Sequence, residues 1–159
     1  MRPAETEARA RPEFVPSDPD YKARVQASFD RQGAMRLIGA RLAAIGPGYC
    51  SIELPYRPDL TQQHGYLHAG IVSAIADSAG GYAGFTLFPS DASVLTVEYK
   101  LNLIAPAAGE RLIAEAHVVK PGRTLAITRG EVYAEAAGKR TLCAIMQQTL
   151  IVLSGKPDA

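Results

Sequence analysis

The chain has 159 residues and a formal net charge of +1, which is long enough for one domain with a proper core and too balanced to create a field for nucleic acid or a membrane surface. The N-terminus, MRPAETEARARPEF, is charged and lacks the apolar stretch of a secretory signal. No run reaches the roughly 18 apolar residues of a membrane span, so a cytoplasmic protein is expected.

Residues 1–17, rich in Arg, Glu, Ala and Pro, read as a flexible arm. Ser17-Asp18-Pro19-Asp20 reads as a helix start with proline in the first turn, followed by a helix through Tyr21, Val25 and Phe29 to about Gln32, stopped by Gly33. Met35 to Ile45 reads as a strand, Gly46-Pro47-Gly48 as a turn, and Tyr49 to Tyr56 as the hairpin partner, with Cys50, Ile52 and Leu54 alternating against Ser51 and Glu53. Cys50 and Cys143 both sit in strand-like runs and read as small core residues, not a disulfide.

A polar loop, Asp59 to Leu67, leads into Ala69–Phe85, which contains no proline. Ile71, Val72, Ile75 and Ala79 recur at helical spacing, and a second stripe of Ser73, Asp77, Gly80 or Gly81, and Gly84 carries almost no side-chain bulk. Glycine inside a helix costs about 1 kcal/mol relative to alanine, so three of them predict that a strand or a ligand comes close. The helix start offers backbone N–H groups with no internal partner and a partial positive charge, which suits a carbonyl becoming an oxyanion. Asp77, among Ile75, Ala76 and Ala79, is the one carboxylate of this helix; it is suited to activate water or to attack a carbonyl, unless it is simply a surface Asp. His68 and Asp77 are nine residues apart, about half a turn out of phase and roughly 13 Å along the axis. If both act on one carbonyl, they come from different subunits of a two-fold dimer.

Beyond a loop at Pro89-Ser90-Asp91, Leu95 to Leu103 alternates, with Leu95, Val97, Tyr99, Leu101 and Leu103 on one face and Thr96, Glu98, Lys100 and Asn102 on the other. Arg111–Lys120 is the next strand. Lys120-Pro121-Gly122-Arg123 fits a type II turn, and strands over 124–136 and 140–153 complete the sheet. The expected fold class is α+β: one antiparallel sheet wrapped around one central helix, plus an N-terminal helix, in a single domain over 18–154 with a tail over 155–159.

The segment from about Leu42 to Ile151 resembles the hotdog-fold thioesterases, in particular the PaaI-like acyl-CoA thioesterases. The resemblance rests on His68-Ala69-Gly70 with Asp77 nine residues after the histidine, where the family usually has HGG and LAD; on Ala105-Pro106-Ala107 with Gly109-Glu110; and on the hairpin Lys120-Pro121-Gly122-Arg123-Thr124-Leu125-Ala126. It implies a hotdog fold and hydrolysis of an acyl- or aryl-acyl-CoA by a homodimer or a dimer of dimers, with no cofactor other than the coenzyme A of the substrate. It further implies that Asp77 is the catalytic carboxylate, that the N–H near Ala69 or Gly70 polarises the thioester carbonyl, and that His68 orients. Gln62 stands where many members carry an Asn, with Gln63 a close competitor, and Thr96 stands where a hydroxyl assists the attacking water. Lys120, Gly122, Arg123 and Thr124 fall in the hairpin that often meets the phosphates of coenzyme A. Tyr82, with Tyr66, Leu67, Phe85 and Phe88, belongs either to an acyl pocket or to the core.

Other readings compete. His64 and His68 are four apart, but no HExxH pattern or cysteine cluster completes a metal site. Asp59 and His64 have the five-residue separation of hotdog enoyl-CoA hydratases or dehydratases, without the surrounding glycine and Asn-Pro. A non-catalytic acyl-CoA-binding dimer would tolerate loss of Asp77.

Overall fold

The computed structural model describes residues 12–158; the arm expected over 1–17 lies outside the described residues as far as Arg11. Helix α1 (Tyr21–Arg31) buries Val25 and Phe29. Pro19 lies just outside it, and the Asp20 N–H donates to Asp18 Oδ1 at 2.9 Å, so a local turn leads into the helix, not a proline in its first turn. Arg24 anchors α1 to the end of the central helix. Its guanidinium pairs with Asp18 at 3.2 Å, donates to the carbonyls of Phe85, Phe88 and Pro89, and lies 4.4 Å from the Phe85 ring centroid. A cation on those C-terminal carbonyls complements the helix dipole.

The strand expected from Met35 is a helix in its first part. Helix α2 (Gly33–Ile38) begins at the residue expected to end α1, and the strand β1 (Arg41–Gly46) starts only after it. Met35 and Ile38, three apart, both face the core. Gly39 ends α2 in the left-handed region at φ 79°, with its N–H on Arg36 O and the Ala40 N–H on Met35 O. This is a Schellman closure, which a glycine makes without steric cost.

Strands β2 (Tyr49–Pro55), β3 (Ser93–Leu103), β4 (Arg111–Lys120), β5 (Leu125–Ala136) and β6 (Lys139–Leu153) join β1 in one six-stranded sheet of order β1-β2-β4-β5-β6-β3. Every neighbouring pair is antiparallel. The central helix α3 (Ala69–Phe85) packs across β2 to β6. Cys50, Ile52, Leu54, Leu112, Leu150 and the helix residues Val72 and Ile75 are fully buried between the two layers. The glycine stripe serves this contact: a Cβ on Gly84 would lie 2.4 Å from Leu150 Cδ1. Both cysteines are free and buried, and burial pushes their thiols up to about 12 for Cys50 and about 11 for Cys143, so they are protonated core groups at neutral pH.

Two further expectations are corrected. The alternation of β3 is interrupted by a bulge at Val97: Thr96 pairs with Leu150 and Glu98 with Thr149. One extra residue reverses side-chain parity. Leu95 therefore shares the outer face with Ile151, whereas Thr96 lies on the helix side, as do Tyr99, Leu101 and Leu103 beyond the bulge. Gly122 does not take the left-handed backbone that a type II turn needs. It is constrained by space instead, since a Cβ there would lie 2.0 Å from Leu125 O. No helix among the described residues is long and apolar enough to cross a membrane.

Candidate active site

The bulge in β3 brings Thr96 onto α3. Its hydroxyl donates to Asp77 Oδ1 at 2.7 Å. Gln148 on β6 donates through Nε2 to the same oxygen at 2.6 Å and also lies 2.9 Å from Thr96 Oγ1. Asp77 Oδ1 thus accepts two hydrogen bonds, while Oδ2 accepts none among the described residues. The carboxylate borders a cavity of about 450 Å³ between α1, α3 and β3, lined also by Ser28, Gln32, Ser78 and Tyr82.

Tyr82 is buried in the wall of that cavity with its edge against Phe29. Its hydroxyl contacts Ser28 Oγ at 3.2 Å and accepts from Gln32 Nε2 at 3.0 Å, and Ser78 Oγ donates to Gln32 Oε1 at 3.2 Å. Burial pushes the Tyr82 phenol up, so it is neutral at physiological pH. The wall is therefore apolar in bulk with a hydrogen-bonded polar edge. Tyr66, expected as a pocket or core residue, is exposed, whereas Leu67, Phe85 and Phe88 are buried core.

At the other end of α3, His68 is the N-cap. Its Nδ1 accepts the Gly70 N–H at 2.9 Å, and the Ile71 and Val72 N–H groups donate to His68 O. The Ala69 N–H takes no hydrogen bond among the described residues, and Ala69 and Gly70 are both exposed. Of the two donors expected at the helix start, Ala69 is free and Gly70 is satisfied locally. The preceding loop is held by the Thr61–Leu67 bridge and by His68 N–H to Leu60 O at 2.9 Å. The Gln62 side-chain carbonyl accepts from the His64 N–H, and Gln63 is exposed. His68 and Ala69 thus sit at the N-terminus of α3, more than two turns before Asp77 in the middle of the helix.

Lys120, Gly122, Arg123 and Thr124 are all exposed at the β4–β5 end. Gly122 and Arg123 line a separate depression of about 340 Å³ with Ser17, Phe88 and Val152. Asp59 is held by Arg57 through both oxygens, at 3.1 and 2.6 Å, and these bonds lower its pKa. Among the described residues no hydrogen bond joins it to His64. Among the described residues no three His, Cys, Asp or Glu side chains gather as metal ligands would.

Sequence reasoning missed Gln148. Its signal was present: Ala144, Met146, Gln148 and Leu150 alternate on β6, which puts a glutamine in an otherwise apolar inward row.

A long, mostly buried helix carrying Asp77, with a six-stranded antiparallel sheet wrapped around it, defines a hotdog architecture. The profile of the Thioesterase superfamily matches residues 64–140. A crystal structure of a thioesterase family protein from Silicibacter pomeroyi is 49% identical and superposes with a TM-score of 0.84, over 85% of this chain and 99% of that one. The PaaI protein of E. coli shares the fold, with a TM-score of 0.77 at 16% identity over 87% of this chain and 96% of its own. Human acyl-coenzyme A thioesterase 13 is 29% identical over 99 residues, 62% of this chain and 70% of its own length. The chain belongs to the thioesterase superfamily, and it is a thioester hydrolase.

Proposed function

We propose that the protein hydrolyses acyl-coenzyme A thioesters at a site shared between two copies of the chain. The observation that carries this reading is the Asp77 carboxylate beside a cavity, held through Oδ1 by Thr96 and Gln148, with Oδ2 unbonded among the described residues. The middle of α3 supplies a carboxylate and its N-terminus a free N–H, more than two turns apart along one helix and too far to meet one carbonyl. A two-fold pairing brings one protomer's Asp77 to the partner subunit's Ala69.

In this reading the thioester oxygen accepts the partner's Ala69 N–H, where the helix dipole favours developing negative charge. Asp77 Oδ2 takes a proton from water as the water oxygen bonds to the carbonyl carbon. The C–S bond then breaks, the thiolate of coenzyme A takes that proton, and the free acid leaves. His68 holds the helix start in place. The Gln62 amide, whose Nε2 has no hydrogen-bond partner among the described residues, orients water or the acyl group, and Gln63 is the neighbouring alternative. Lys120, Arg123 and the Gly122–Thr124 backbone meet the phosphates, Lys as a point charge and Arg as a fork. The acyl group enters the cavity beside Tyr82. The name carried by the human relative supports coenzyme A esters as substrates.

The test is thiol release from a panel of straight-chain and aryl acyl-CoA esters. Asp77→Asn keeps the side-chain shape and removes the base, so kcat falls by about 10² to 10⁴. A variant with undiminished turnover would end this mechanism, and binding without turnover by the unmodified protein would favour a non-catalytic role.

A further inference from the structure

Gln148 is 1% exposed, and its amide is fully engaged. The Thr128 hydroxyl, itself buried, donates to Gln148 Oε1 at 2.8 Å. A hydroxyl that donates there requires the amide oxygen to face β5, which turns Nε2 toward Asp77 Oδ1 and Thr96 Oγ1. Nε2 also lies 3.2 Å from the Asp77 main-chain carbonyl. Thr128 and Gln148 are direct cross-strand partners, so the sheet register sets this contact. The helix makes room for it: a Cβ on Gly80 would lie 2.0 Å from Gln148 Oε1 and 3.0 Å from Thr128 Oγ1. An amide buried this deeply leaves donors unsatisfied if it turns over. The chain Thr128–Gln148–Asp77 therefore has one stable orientation.

We propose that Gln148 is a positioning residue for Asp77: with its amide oriented by Thr128 and admitted by Gly80, it holds Oδ1 and leaves Oδ2 facing the cavity. This rests on the reading of Asp77 as the reacting carboxylate. Gln148 reaches no substrate, because it lies behind the carboxylate. Its contribution is to the rotamer of Asp77 and to the orientation of the Thr96 hydroxyl. Misplacing a reacting group by about 1 Å can cost a hundredfold in rate.

The experiment measures kcat and KM by thiol release, with thermal melting as a check on folding, for Gln148→Met, Thr128→Val, Thr128→Ser, Gly80→Ala and Asp77→Asn. Gln148→Met keeps the volume and loses the donor, so kcat falls about 10- to 100-fold with KM within about threefold. Thr128→Val, nearly isosteric, releases the amide and lowers kcat about tenfold, whereas Thr128→Ser restores the donor and keeps kcat within about threefold. Gly80→Ala displaces the amide from the helix side and moves kcat in the same direction. If Gln148→Met does not fold, the Thr128 pair and Gly80→Ala carry the test. Folded variants with undiminished kcat, a loss confined to KM, or equal losses in Thr128→Val and Thr128→Ser would overturn the proposal. Those results beside an inactive Asp77→Asn would leave the proposed function standing; a fully active Asp77→Asn would remove both.

Discussion

The two edges of the sheet are built differently. β1 is six residues long, bulged at Ala43, exposes Arg41 and two alanines, and has α1 packed beside it. β3 is eleven residues long and exposes Leu95, Val97, Tyr99 and Leu103, with Ile104 following. Short, bulged and charged edges resist further pairing, whereas a long apolar edge invites it. The chain is finished at β1 and open at β3, and Thr96, which holds Asp77, lies on the open side. For the proposed two-fold site, this difference makes β3 the candidate seam.

The strongest way to break this contrast is to charge both edges. Val97→Lys puts an ammonium in the seam, where an unpaired charge costs about 3 kcal/mol, roughly a hundredfold in association. Sedimentation then shows smaller particles, and thiol release falls with them. Ala43→Lys on β1 changes neither, and equal effects at both edges would refute the contrast. Mixed dimers sharpen it. Asp77→Ala combined with Gln62→Ala, each inactive alone, recovers about a quarter of the wild-type activity after random exchange, because half of the dimers are mixed and each holds one intact site. No recovery would place the whole site within one chain.

Smaller effects probe the layer beneath the open edge. β6 lies next to β3 and presses on α3 at Gly84, so Gly84→Ala overpacks against Leu150 and costs about 1 to 3 kcal/mol in denaturant unfolding. Arg57→Ala, far from the seam, removes an exposed pair with Asp59 and a hydrogen bond to Leu37 O, and leaves the unfolding midpoint close to that of the unmodified protein. A larger change there, reproduced by Asp59→Ala, would mean the loop before α3 depends on that pair.

Much of the fold was legible because its cues are local. The bounds of α3 were readable from the proline-free apolar spacing between the His68 cap and Phe85, and β2, β4, β5 and β6 from alternation and turns. Met35 to Ile38 misled because four residues of MRLI fit either period, and the deciding cue was Gly39 as a helix stop, not Gly33. Thr96 was named from resemblance, while alternation grouped it with Glu98, Lys100 and Asn102, from which the bulge separates it. A bulge leaves no mark in the residue types around Val97, because it depends on the register with β6.

By itself, the order of residues determined the elements, the bare stripe along α3 and the separation of its cap from Asp77, all of which follow from periodicity and rise within one segment. Tertiary structure alone decided which side of β3 carries Thr96, that Gln148 stands behind the carboxylate, and that one edge is left open. Each of these depends on pairing between strands distant in sequence, and no local propensity encodes which partner a side chain meets across a sheet.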